Sequence, residues 1–425
     1  DYRIVHPPTG YRLQRTGSEG EVFGFQTPGS ANIRIPYDIP VPPKATTTVS
    51  YGGSLRADEY LPTTNILASG IQYTERGRVA GASTLLGNLD QASGLAEGDS
   101  FGIAGSDRAG NPVSAGLEIT PGATTLGDVL AGISNVLPGS TASVSDGMIV
   151  VEDDTAGYSL TDLTLTYSGA GSFALPGYFE VHTAGGVLTH STAIEIFDSQ
   201  GASHTLSATF VRTDTINVWD MVLTSISGDV ALVDRRVKGI TFLSNGTFGG
   251  IGGTPQDDQS FKMQFGFDPT NTREVDLDFG TIGRYDGLSQ SGGKNTAAAS
   301  GQNGYCSGSL LNVSVTREGV LVGVFTNGVR RDVAALKLAT FQNAAGLLST
   351  GSNYFVNSSN SGNPVPTQAL AGGAGAVCGG SLEGSNVEIA GEFIDLIEAQ
   401  NGFQANARTI RVANEMLREL TNLIR

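Results

Sequence analysis

Gly98-Asp99-Ser100-Phe101-Gly102 fits the G-x-S-x-G spacing of a nucleophile elbow, in which a strained turn between strand and helix lifts a serine toward an acyl carbon. The neighbouring residues deny it that context. Asp99-Ser100-Phe101-Gly102-Ile103 alternates as a strand does, and Ala104-Gly105-Ser106-Asp107 reads as a turn. Ser100 is therefore expected inside a strand. His6, His182, His190 and His204 have none of the spacings that gather metal ligands, and read as surface or strand residues. Glu152-Asp153-Asp154 and Asp257-Asp258 concentrate carboxylates. They lack the alternating acids and closing Glu of a calcium loop, and read as turn formers. Gly249-Gly250-Ile251-Gly252-Gly253 lacks the strand and helix that frame a dinucleotide loop, and reads as a flexible turn. No catalytic residue, metal site or cofactor site is expected.

Composition points away from most ligands as well. The 425 residues suffice for about two to four domains. A net charge of −16 and a pI near 4.6 argue against nucleic acid or an anionic membrane surface as partner. Charged residues make up 16%, against roughly 25% in ordinary soluble chains, and 59 residues are glycine. Such surfaces are polar but weakly charged, as expected where much of the surface meets copies of itself. Leu338 to Leu382 carries no charge at all, and Gly, Ser, Asn and Pro interrupt it too often for a membrane span. Cys306 and Cys378 cannot make a disulfide framework; they are expected as free thiols, with a single disulfide between them as the alternative. No signal peptide is visible, and the first residues read as the middle of a protein.

The elements are mostly short strands. Gly10 to Leu55 holds strands punctuated by Pro36, Pro42 and Pro43, which confine them to edges or starts. Strand alternation recurs at Ala142–Val151, and helical spacing at Leu126, Val129, Leu130 and Ile133, with Thr125 or Thr124 as N-cap. His190–Phe197 and Ser203–Leu206 read as strand, tight turn, strand. Asn327-Gly328 is a hairpin dipeptide. The fold class is multidomain and mainly β, with an α+β insertion.

The exception is the last forty residues. Ile389, Leu396, Phe403, Ile410, Leu417 and Ile424 form a column spaced by seven, which lies along one face of a helix. Ser385 and Glu388 have capping-box spacing. Early acids and late arginines follow the helix dipole. Forty residues make a rod of roughly 60 Å. Burying six seam residues would contribute about 9–18 kcal/mol as an upper bound. A rod this long with one apolar seam needs a partner helix.

The stretch Ser381-Leu382-Glu383-Gly384-Ser385-Asn386-Val387-Glu388, with Glu392-Phe393-Ile394 and Glu398-Ala399-Gln400-Asn401-Gly402-Phe403-Gln404-Ala405-Asn406-Ala407, resembles the terminal motif of bacterial flagellar rod and hook proteins. Three further stretches resemble the hook branch: Gly10-Tyr11-Arg12-Leu13-Gln14, the 190–206 hairpin followed by Trp219, and Leu338-Ala339-Thr340-Phe341-Gln342-Asn343 with Gly346-Leu347. Cys306 departs from the family, which commonly has a small residue there. The resemblance implies a β core domain split into 1–65 and 291–380, an inserted solvent-facing α+β domain at 66–176, an outer β domain at 177–290, and a terminal helix at 381–425 lining a tube like a coiled coil. It implies a non-enzymatic hook subunit, exported without a cleaved signal peptide, that polymerises into a curved tube and passes torque to the filament. Its partners would be itself and other axial proteins: rod, hook cap and hook–filament junction. In the family a preceding N-terminal helix pairs with the seam, and the chain is expected to begin after it. Three rivals remain: a distal-rod subunit, a secreted adhesin, and an extracellular hydrolase using Ser100, which an activity screen of Ser100→Ala would separate.

Overall fold

Strand Thr48–Arg56 buries Val49, Tyr51 and Leu55 on one face, the period-two pattern of a strand with one side on a core. In the computed structural model, which describes residues 12–16, 26, 30–37, 39–252, 259–351, 353–382 and 384–423, this strand lies within a six-stranded sheet. It runs parallel to Asp268–Asp278, with Val49 opposite Leu277, and parallel to Leu288–Ser291. It runs antiparallel to Ala298–Gln302. Gly53, at φ 99°, has to be glycine, because a Cβ there would sit 2.4 Å from the Thr296 carbonyl oxygen. A five-stranded antiparallel sheet follows in the order Thr189–Phe197, Ser203–Arg212, Val218–Ile226, Arg236–Phe242, Phe248–Ile251. The two sheets share one core, with Tyr51, Phe210, Trp219, Met221, Phe261, Met263 and Phe279 all buried in it. The Tyr51 ring lies 5.7 Å from both Phe210 and Phe279, edge-on to the former.

A second core belongs to the insertion. Helix Leu126–Val136 buries Leu126, Val129, Leu130 and Ile133, the four positions that its spacing marks. Thr125 is the N-cap, and the box is completed by Asp128: the Asp128 N–H donates to Thr125 Oγ1 at 3.2 Å, and the Thr125 N–H donates to Asp128 Oδ2 at 2.8 Å. The helix packs against strands Ser100–Ser106 and Pro112–Glu118, and against Ser140–Ser145, which pairs with Met148–Asp153. The core runs past 176 to Phe179, Val181 and Ala184, because Glu180–Thr183 pairs with Ile66–Ala68. Two arginines tie it to the five-stranded sheet. Buried Arg235 donates to Asp162, the Phe179 carbonyl and the Leu223 carbonyl, while Arg236 donates to Asp220 and the Ser159 carbonyl.

The chain divides at 35 rather than at 65. Residues 36–312 with 324–330 form one compact unit, and residues 1–35 with 313–323 and 331–425 the other. A single core domain made of 1–65 and 291–380 is thus not what the contacts support. Ile33 packs with Leu321, Val333 and Ala334 in the smaller unit, whereas Thr48–Arg56 and Ala298–Gln302 pair with each other in the larger. The reason is cross-strand pairing. Val49, Tyr51 and Leu55 find their partners at 275–279 and 288, a long-range preference that prolines and local alternation do not reveal. In the smaller unit the Gln26 side chain donates to the Arg34 and Val333 carbonyls at 2.8 and 3.2 Å and accepts from the Arg34 N–H, fixing the segment that carries Ile33.

Ile133 is fully buried, so Ile133→Ala should cost about 2–5 kcal/mol, and Thr125→Ala about 1 kcal/mol. Urea unfolding followed by circular dichroism measures both. A cost well under 1 kcal/mol for Ile133→Ala would mean that the helix is not packed as described.

Candidate functional site

Ser100 opens strand Ser100–Ser106, whose partner Pro112–Glu118 follows through a turn held by the Asp107 carboxylate. The strand, turn and helix of a nucleophile elbow are not built around it. Asp99, its neighbour, is buried and accepts from the Tyr167 hydroxyl and from the Ala96 and Ala170 N–H groups, which fixes backbone rather than activating a serine. Glu152 and Asp153 depart from the turn reading. They close strand Met148–Asp153, and buried Asp153 accepts from the Ser140 and Thr161 hydroxyls at 2.8 and 2.9 Å. Gly249, Gly250 and Ile251 lie in strand Phe248–Ile251, not in a flexible turn; Gly250 adopts φ 110° beside a register shift against Thr241 and Phe242. Asp257, Asp258, Gly253 and His6 lie outside the described residues. Cys306 and Cys378 are free thiols.

His182, His190 and His204 all stand on strands. His204 does more than fill one. Its Nε2 lies 3.0 Å from Asp198 Oδ2 and its Nδ1 lies 2.7 Å from the Ser227 carbonyl oxygen. Its ring packs 4.8 Å from Phe265. Asp198 Oδ1 also accepts from the Gln200 and Ala202 N–H groups, so one carboxylate shapes the hairpin turn and anchors the next strand. The Asp-x5-His spacing was the signal for this pair.

The surface left unsatisfied is the terminal helix, Ile389–Leu423, about 52 Å long. None of its described residues is buried. Ile389, Leu396, Phe403, Ile410 and Leu417 are 58–75% exposed, and Ile424 lies outside the described residues. A second apolar line runs along the same helix. Ile394, Ala405 and Met416 recur every eleven residues, as do Val412 and Leu423, and Ile394 starts about 140° round from Ile389 at 100° per residue. Ala405, Val412 and Met416 floor a shallow groove rimmed by Gln404, Arg408 and Thr409. The eleven-residue spacing was there to be read, but the stronger heptad column masked it. The start of the helix also differs from the capping box. Glu388 precedes its first residue and accepts the Glu392 N–H at 3.1 Å, while Ser385 Oγ takes the Val387 N–H at 3.2 Å. Serine here satisfies its own local turn, the usual competitor of a cap.

Two family models match the chain. The C-terminal model of flagellar basal body rod FlgEFG proteins covers residues 379–423, the helix and its approach. The flagellar basal body protein FlaE D2 domain model covers residues 150–305, which hold the five-stranded sheet and most strands of the six-stranded one. The helix and the sheets are thus each similar to a part of flagellar axial proteins. The relatives that the chain resembles are flagellar hook proteins. The flagellar hook protein FlgE of Borreliella burgdorferi is 40% identical over 150 residues, 35% of this chain and 34% of its own length. That of Helicobacter pylori is 33% identical over 245 residues, 55% and 33% of the two. That of Escherichia coli is 31% identical over 231 residues, 54% of each. The chain spans between a third and about half of the length of these relatives. A crystal structure of Helicobacter pylori flagellar hook protein FlgE2 covers 86% of this chain and 84% of its own at 15% identity, with a TM-score of 0.41.

Within the matched D2 region, the Asp198 turn is open to a direct test. Burial pushes its carboxyl up, but hydrogen bonds from His204, Ala202 and Gln200 outweigh that and hold it below the usual carboxylate range. A folded value below the unfolded one contributes stability that is complete above the ordinary carboxylate range and is lost as pH falls through the folded value. Wild-type stability should therefore decline more steeply on acidification than that of Asp198→Asn. Equal slopes in thermal unfolding between pH 6 and pH 2 would show that the carboxylate is not so held.

Proposed function

We propose that this chain is a structural subunit of the flagellar hook, polymerising into a curved, flexible tube that carries motor torque to the filament. The observation that carries the reading is the terminal helix: 35 residues with two apolar lines and no buried side chain. Covering five seam residues would contribute about 8–15 kcal/mol as an upper bound. Left in water, they are an assembly surface without its partner. Gly391 and Gly402 support the same reading. A Cβ at either would meet nothing within 4 Å, so in the single chain both glycines weaken the helix by about 1 kcal/mol each without local gain. Eleven residues apart, they fall on one face, where the missing side chains would let a second helix come close.

The contact is head-to-tail in this reading, and a head-to-tail contact that does not close on itself builds a helical filament. The helices line the inside. The β sheets have cores of their own, so neighbouring copies slide slightly as the tube turns through a bend. Other axial proteins, namely rod, hook cap and hook–filament junction, meet the ends of the tube, and subunits arrive by the flagellum's own export channel. No catalytic step is assigned. The D2 match and the 190–206 hairpin favour hook over distal rod.

Replacing Phe403 and Ile410 together by Asp puts two charges on the seam, at several kcal/mol in total if that face is buried in the tube. Polymerisation should be lost while the β signal in circular dichroism is unchanged, since no helix residue contributes to either β core. Tubes of normal appearance in electron micrographs would contradict the reading. So would global unfolding, which would place the helix in the globular core.

A further inference from the structure

The acidic character of the chain stops at one stretch. Leu338 to Leu382 holds no Asp, Glu, Lys, Arg or His, in a chain of net charge −16. The structure folds it into two narrow ribbons, Leu338–Thr340 with Val365–Thr367 and Leu348–Gly351 with Tyr354–Val356. One end is seated on the smaller unit: Ala369 is buried, and the Val377 N–H donates to the Arg317 carbonyl at 3.0 Å. Among its described residues only Ser361 and Ala369 are buried. Leu348, Phe355, Val356, Val365 and Leu370 are all at least 45% exposed, with Leu348 directly opposite Val356 across the hairpin. Two-stranded ribbons are marginal by themselves in water, and their free edges offer unpaired N–H and C=O groups to another strand or loop.

We propose that this charge-free face is a contact between neighbouring copies of this chain. The inference rests on the polymer reading above and adds a second, β-built surface to the helical one. The charge pattern selects the occupant. Identical chains bring identical charges, so an acidic chain that meets itself faces like-charge repulsion unless the meeting surface is neutral. A face with no Asp, Glu, Lys, Arg or His meets a second copy without repulsion and without an ion to desolvate. A partner steered by charge would find no field to follow here. Shape and apolar contact, from Leu348, Phe355 and Val356 on one ribbon and Val365 on the other, then do the recognition.

The test uses the full-length protein. Hydroxyl-radical footprinting should show Phe355 oxidised in monomer and protected in tubes. Leu348→Asp with Phe355→Asp should raise the critical concentration for tube formation at least tenfold while leaving the monomer's circular dichroism and melting temperature unchanged. Phe355→Leu should assemble as the wild type does. Tubes from the double variant at the wild-type concentration would overturn the inference and leave the polymer reading standing. Protection of Phe355 already in the monomer would overturn it too, because the face would then be covered by its own chain, and so would unfolding of the double variant, because the ribbons would belong to a core. A wild-type protein that forms no tubes would overturn both.

Discussion

An amphipathic helix of 35 residues with its apolar lines held in water is the constraint on which the rest of the structure depends. The helix has no buried side chain in the single chain, yet it repeats large apolar residues along two lines. A soluble monomer gains nothing from that arrangement and risks aggregation. It makes sense when burial happens between chains, so that the free energy most domains spend on their own cores is kept for assembly. The β unit is then obliged to fold without the helix, and neither of its large cores uses a helix residue. Both large cores close on residues between Val49 and Ala297, with Trp219, Phe210, Phe261 and Phe279 at the centre of one and Phe101, Leu126 and Ile133 in the other.

Independence of the larger unit also requires that its parts not drift apart. Burial by Val211 and Val222 joins the insertion to the five-stranded sheet, and the guanidinium groups of Arg235 and Arg236 clip the same seam. Arg235 is almost wholly buried, and its donors meet carbonyl oxygens and Asp162, so its charge is compensated where it stands. Such a joint is directional, unlike apolar packing.

Much of this was legible in the residues, and the failures follow a pattern. The insertion helix was marked by four apolar positions and a threonine cap, because both are local signals. The 190–206 hairpin was marked by alternation around a turn, and its Asp198–His204 pair sits at short separation. What could not be read were pairings over long distances. Nothing near Thr48–Arg56 says that it will run parallel to a strand more than two hundred residues later. The division at 35 was missed for that reason, as was the strand at Gly249–Ile251, whose glycines looked like a turn. Buried Asp153 reads as a turn former in sequence because its hydroxyl partners, Ser140 and Thr161, come from other elements. On the helix the heptad column was plain, whereas the eleven-residue line, with smaller residues such as Ala405, was overshadowed. Serine at 385 has the spacing of a cap and the local geometry of a turn, and the turn won.

The account stands or falls on whether the helix is covered by assembly and by nothing else. Hydrogen exchange of the amides from Ile389 to Leu423, followed by mass spectrometry in dilute monomer and in assembled tubes, asks that directly. Exchange should be fast in monomer, since a helix with no buried face opens readily, and should slow by several orders of magnitude in tubes. Slow exchange of these amides in dilute monomer would contradict the account, because the helix would then already have its partner within one chain.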